Sequence, residues 1–287
     1  MAKMDRSSLR SPGDVEGIHG VDFSGARNAG AKIWIASCTI VGDVLVLEDC
    51  RPAETLPDSA RNRDRCLAAL REFISAKQKC AFGLDFPFGL PRDLVKASNW
   101  EQFVLSFGKR YPDPKEFWRA SHSASDGHEW KRVTDKNDKT PFSPYNLRLY
   151  RQTYYGIRGV LAPLVQRKSV HVLPMQGVPP GSKPWLLEVC PASTLIRMEL
   201  RVSYKGRAEK HPGEKSLARA IILKRIESTG AVSIPAPALR GRVLEDYHGD
   251  ALDSVIAAFA TFRAIKKLAR SPVSGTDADM IEGHVYV

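Results

Sequence analysis

The chain has 287 residues, 43% of them hydrophobic, and carries 43 Lys/Arg against 32 Asp/Glu for a formal charge of +11. That length suits one large domain with an insertion or two small ones, and no run approaches the roughly 18 apolar residues of a membrane span. Residues 1–16 lack the apolar stretch of a signal peptide and read as a polar flexible tail.

Charge is concentrated in two stretches: residues 197–225 hold nine Lys/Arg against three Asp/Glu, and residues 109–151 hold ten against six. Such patches suit a polyanionic partner, although ordinary solvated helices give the same balance. Five cysteines without a Cys-x-x-Cys pair read as buried reduced thiols and imply a cytoplasmic setting.

In chain order, a first apolar run over 18–23 breaks at Ser24-Gly25. Residues 31–40 are rich in branched and aromatic types, and 44–47 follows Gly42-Asp43 as a hairpin partner, so three strands in a meander are expected. Leu67, Leu70, Phe73 and Ile74 have helical spacing within 59–77, with Asp58 or Ser59 as the cap. A short strand ending in Asp85 is stopped by Pro87 and Pro91. Residues 90–183 are polar and proline-punctuated and read as an insertion of helices and loops, including a helix near 146–161 that ends before Pro163. A strand over 185–190, helices near 192–201 and 214–228, a loop at 233–237, a helix over 250–269 and a short strand within 283–287 complete the order. These elements predict a single α/β domain over 17–287. Its five-stranded mixed sheet, a three-strand meander plus two parallel strands, is flanked by helices and carries a large, mostly helical insertion at about 90–183.

In such a sheet ligands bind beyond the carboxyl ends of the parallel strands, and three apolar runs end there in an acid: Asp22, Asp85 and Glu188. Asp250 and Asp253 share the first-turn face of the last long helix, and that face continues as Ala257, Ala260 and Ala264. A stripe of small residues suits a helix lying close against its neighbour and aiming carboxylates at it. Four or five acids in one pocket are costly unless cations fill it. Crowding also implies that Asp22→Asn or Asp253→Asn leaves the metal-free melting temperature unchanged or raises it.

Structural roles stay open for each acid. Asp22 suits a turn satisfied by the amides of Ser24 and Gly25, Glu188 an ion pair with a basic helix, and Asp250 and Asp253 a cap or first-turn position. Asp85, flanked by aromatics, needs a metal or an arginine to stay ionised. His248 is either a proton shuttle or phosphate contact, or a solvated loop residue.

Within the insertion, Lys139 and Ser143 precede a helix that carries Arg148 and Arg151 on one face, with Tyr150 and Tyr154 four apart. Basic and aromatic residues interleaved in this way suit a nucleic-acid surface, while tyrosines packed inward are an equal alternative. There is no dinucleotide-binding or P-loop glycine motif, and the segment after Asp22 lacks the first glycine of a nucleophile elbow.

Taken together, the chain resembles the RNase H-like fold, in particular the RuvC-like Holliday-junction resolvases. In those enzymes acids end the first and fourth strands and a D-x-x-D pair opens the last helix; Asp22, Asp85, Asp250 and Asp253 stand at those places in order. It is similar as well to a group of predicted nucleases designated domain of unknown function 429. That likeness rests on Gly20–Gly25, Gly83–Pro91, Lys139–Ser143 with Asn146–Arg148 and Gln152–Gly156, Leu187–Pro191, Asp250–Asp253 and Glu282-Gly283.

The resemblance implies a nuclease holding two Mg²⁺ or Mn²⁺ ions on Asp22, Asp85, Asp250 and Asp253, with Glu188 as a further ligand. Lys139, Ser143, Arg148, Arg151, Ser24 and His248 would contact DNA or RNA. Two alternatives stay open: an actin-like ATP-binding phosphotransferase using the Ser24-Gly25 loop, and a non-catalytic nucleic-acid-binding module.

Overall fold

The computed structural model describes residues 15–177, 182–206, 212–270 and 275–287. β1 (Gly17–Asp22) is central, with β2 (Trp34–Val41) antiparallel beside it. β2 turns through Gly42-Asp43 into β3 (Val44–Pro52). Gly42 has φ +58, the left-handed backbone that a two-residue hairpin loop requires. α1 (Arg63–Ser75) leads to β4 (Cys80–Leu84), parallel to β1. Its cap is Asn62, which accepts from the amides of Asp64 and Arg65, and not Asp58 or Ser59 as the sequence suggests.

The insertion holds α2 (Trp100–Arg110), α3 (Pro114–Ala124), α4 (Val133–Asn137), α5 (Tyr150–Gly156) and α6 (Ala162–Gln166). Pro163 does not end the helix that contains it. A π turn over Ile157–Leu161 joins α5 to α6. The Gly159 carbonyl, which Pro163 deprives of an amide donor, accepts from Arg71 Nη1 at 2.7 Å. β5 (His171–Leu173) and β6 (Trp185–Val189) then run parallel to each other and to β4. Next come α7 (Pro191–Arg197), α8 (Pro212–Glu227), β7 (Val232–Ser233), α9 (Pro237–Glu245), α10 (Asp250–Arg270), α11 (Asp279–Glu282) and β8 (Val285–Tyr286).

The sheet order is β5-β6-β4-β1-β2-β3-β7, with β8 extending β6. The five expected strands are β1, β2, β3, β4 and β6. β8 is the short strand expected within 283–287, whereas β5 and β7, of three and two residues, are too short to carry a period-2 signal. Residues 1–14 of the expected tail lie outside the described residues. Val15, by contrast, is buried and Glu16 N–H donates to the Lys79 carbonyl, so the fold begins before residue 17. The five cysteines form no disulfide, and four are buried. Among the described residues no helix is long and apolar enough to cross a membrane.

Strand alternation divides the core in two. Val21, Phe82, Leu84 and Leu186 pack with α1 and the insertion helices, whereas Ile18, Ala81, Leu187 and Val189 pack with α7, α8, α9 and α10. On the second face, Gly20 of β1 and Gly83 of β4 lie directly under α10. A Cβ at Gly20 would collide with the Ser254 carbonyl and the Ala258 amide, and one at Gly83 with the Thr261 hydroxyl. Of the expected stripe of small residues, Ala257 lies at this crossing with Ser254, Ala258 and Thr261, and Ala260 is fully buried as well.

Gly20→Ala and Gly83→Ala should each push α10 off the sheet, with an expected loss of about 1–3 kcal/mol or more. The urea midpoint measures it, and an unchanged midpoint for both variants would show that the seam can open without penalty.

Candidate functional site

Asp22 ends β1 and Asp85 follows β4, whose ladder with β1 pairs Val21 with Leu84. The next residue on each strand is therefore an acid, and the two carboxyls stand side by side on the α10 face. The Asp85 amide continues the ladder to the Val21 carbonyl at 3.0 Å, and the two side chains hydrogen-bond each other. Asp253, 2% exposed in the first turn of α10, is carried onto the pair by the glycine seam. Asp250 lies at the same end of the helix. It is not the cap, since Asp246 Oδ2 accepts from the Ala251 amide at 2.8 Å.

Two residues with no assigned role in the sequence complete the cluster. Tyr204 donates its hydroxyl to Asp253 Oδ1 at 2.5 Å, and the Lys205 ammonium pairs with Asp253 Oδ2. Their segment is anchored from behind: Arg219 donates to the Tyr204 and Leu244 carbonyls, and Lys215 to Ser203. No local pattern in the sequence marks them; Lys205 is one charge among many in a basic stretch.

The electrostatics follow from crowding. Burial and then Asp253 push the Asp22 carboxyl well above the usual range, against Lys205, with Asp250 and Asp85 adding to the rise. Burial and Asp253 raise Asp85 to about 8. Burial and Asp246 raise Asp250 to about 6, with Lys205 opposing. Burial alone would lower the Lys205 ammonium, but Asp253, Asp22 and Asp85 outweigh it and hold the lysine charged.

Glu188 lines the same cavity and adds to the rise of Asp85, but it reaches that cavity from the other face of the sheet. Its register partner on β4 is Leu84, so its side chain leaves the opposite face of the sheet from Asp22 and Asp85. There Arg132 donates to both of its oxygens, at 2.8 and 2.5 Å, and the Phe88 amide donates at 2.8 Å. Arg132 also holds Asp135 through two side-chain donors and reaches the Glu282 carbonyl, while the Glu282 carboxylate takes the amides of Val133 and Arg92. The expected further ligand is thus the ion-paired anchor of the insertion, the other reading its sequence allowed.

A cavity of about 220 Å³ opens over Asp85 and Asp253, lined also by Lys205, Tyr204, Arg148 and Gln152 and, from the other side, by Glu188 and Arg132. Gln152 donates to the Asp85 carbonyl and ties α5 to the end of β4. Arg148 is exposed at this cavity, its guanidinium 5.6 Å from the Phe142 ring.

The other expected substrate contacts fall elsewhere. Lys139 lines a neighbouring depression with Tyr204 and Arg201. Ser143 is buried and donates to Glu129, Arg151 turns onto the Tyr150 hydroxyl, and the Ser24 hydroxyl accepts from the Ala26 amide. His248 is exposed against Tyr247, and its charge acts on Asp250. Tyr154 is fully buried and donates to the Pro112 carbonyl, so it is a core residue rather than a stacking platform. Cys190 also lines the cavity, but burial and Asp85 push its thiol up to about 12, which leaves it inert as a nucleophile.

Comparison of the chain with family models, curated proteins and solved structures gives no match. Among the described residues no three His, Cys, Asp or Glu side chains stand ready-spaced around a metal ion. The donor chemistry nevertheless fits a hard divalent cation, being carboxylate oxygen throughout. Lys205 occupies one face of it.

The raised folded-state value of Asp85 sets the sign of its pH dependence. Its contribution to stability is present below the ordinary carboxylate value of about 4 and is lost as pH rises through about 8. In chelator, Asp85→Asn should therefore raise the melting temperature at pH 8 and change it less at pH 5. Asp253→Asn should instead lower it at both, with a loss of stability of about 1–3 kcal/mol, because Lys205 and Tyr204 lose their charged acceptor. This departs from the crowding argument for Asp253. A further check is Arg132→Met, which strands Glu188 and Asp135 and is expected to destabilise by about 3–5 kcal/mol in urea denaturation.

Proposed function

We propose that the chain is a divalent-metal-dependent nuclease, a phosphodiester hydrolase built on an RNase H-like sheet and akin to the predicted nucleases of domain of unknown function 429. The observation that carries this reading is the meeting of Asp22, Asp85 and Asp253, from two adjacent parallel strand ends and one helix start, in a single crowded pocket with Asp250 beside them. Three chain segments far apart in sequence supply like charges to one place, which is unfavourable for folding and useful for holding cations.

Asp22, Asp85, Asp253 and Asp250 would hold the ions, of the Mg²⁺ or Mn²⁺ type. Held there, such ions would supply Lewis-acid chemistry, namely activation of water and stabilisation of a leaving oxygen. The chain's own contribution is positional. Gln152 fixes the backbone at Asp85, the glycine seam fixes Asp253, and Arg148 stands at the cavity to receive a phosphate oxygen. Glu188 has no part in this set. Nothing at the Ser24-Gly25 loop favours the ATP-binding alternative, and the Arg151 backbone packs directly against Gly25.

The test is cleavage of labelled single-stranded, duplex and branched DNA and RNA with Mg²⁺ or Mn²⁺. Activity should require the metal, and Asp22→Asn or Asp253→Asn should reduce it about a thousandfold or more, as loss of a central charge at a hydrolytic centre does. Cleavage that survives in Asp253→Asn protein, or in chelator, would overturn the assignment.

A further inference from the structure

The cation the acids do hold is part of the chain. The Lys205 ammonium touches Asp253, and its charge acts on Asp22, Asp85 and Asp250 as well. The geometry of that lysine is asymmetric. The backbone on its N-terminal side is fixed, since Arg219 Nη1 donates to the Tyr204 carbonyl at 2.9 Å and Lys215 Nζ to the Ser203 carbonyl at 2.9 Å. Its side chain is 52% exposed, while its partner Asp253 is 3% exposed. A long flexible stem from a fixed base can swing into the cavity without moving the acids. Arg148 lines the same cavity, so an anion bound there would face both cations.

Resting on the nuclease reading, we infer that Lys205 is an exchangeable internal counter-ion that competes with the divalent metal for Asp253 and is drawn off by the phosphates of the nucleic-acid substrate. With no substrate, the ammonium fills one face of the acid cluster and weakens metal binding. A phosphodiester in the cavity offers Lys205 another partner beside Arg148 and leaves Asp253 Oδ2 open to a metal ion. Metal and nucleic acid then bind cooperatively, and by linkage each strengthens the other by the same factor. The coupling guards against futile loading, because the full ion set assembles only when a substrate is present to be cut.

The experiment measures Mn²⁺ binding by electron paramagnetic resonance and calorimetry, with and without a thymidine oligonucleotide whose phosphorothioate backbone resists cleavage. For the unmodified protein the oligonucleotide should tighten Mn²⁺ binding about tenfold, within the usual range of such couplings. Lys205→Met should bind Mn²⁺ about tenfold more tightly than the unmodified protein when no oligonucleotide is present, and the oligonucleotide should then change its affinity less than about twofold. Lys205→Arg keeps the charge and should keep the weak binding. Urea denaturation of each variant confirms that it is folded.

If Lys205→Met binds Mn²⁺ no more tightly than a wild type that does bind it, the exchange is refuted while the nuclease reading stands. Failure of every protein, Lys205→Met included, to bind Mn²⁺ would remove both.

Discussion

Gly20 and Gly83 have no side chain where α10 crosses β1 and β4, and the spacing of the whole site is inherited from that crossing. With backbone and small side chains touching, the first turn of α10 arrives at the level of the strand ends, and Asp253 meets Asp22 and Asp85. Any larger residue at either glycine would hold the helix away from the sheet and separate the carboxylates. The same contact buries the helix almost completely, so the position of Asp253 is fixed by the core rather than by a loop.

Close placement brings an electrostatic penalty, because burial and mutual repulsion both disfavour ionised acids. The structure offsets it in part through Lys205 and Tyr204, which satisfy Asp253, and in part through the proton that Asp22 and Asp85 can share. On the other face of the sheet the solution differs. Glu188 is ion-paired with Arg132, which has a fixed planar fork and is fully buried, whereas Lys205 is half exposed on a pliable stem. One carboxylate site is closed by its cation and the other is only covered by it.

The acids of the pocket were legible because each sits where a local pattern ends: Asp22 and Asp85 after apolar runs, Asp250 and Asp253 at a helix start with a small-residue stripe behind them. Glu188 ended a run in the same way and was misleading, because a period-2 strand sends alternate residues to opposite faces. Which face Glu188 takes depends on its pairing with Leu84, and register between distant strands leaves no trace in a single sequence. Tyr204 and Lys205 escaped notice for a related reason. They lie in an irregular segment and are held by Arg219 and Lys215 through backbone carbonyls, which any residue supplies. The meander and the crossover to β4 were readable from turns and proline stops, but β5 and β7 were too short to register.

Arg132 joins stretches that are remote along the chain: Glu188 lies 56 positions on and the Glu282 carbonyl 150. Each of these ties closes a long loop, so its bonds must offset a closure entropy that grows slowly with loop length. The acid cluster closes a longer loop still, since Asp22 and Asp253 stand 231 positions apart. Both faces of the sheet are thus built from non-local contacts, a topology that folds slowly because no acid is placed until remote segments have met.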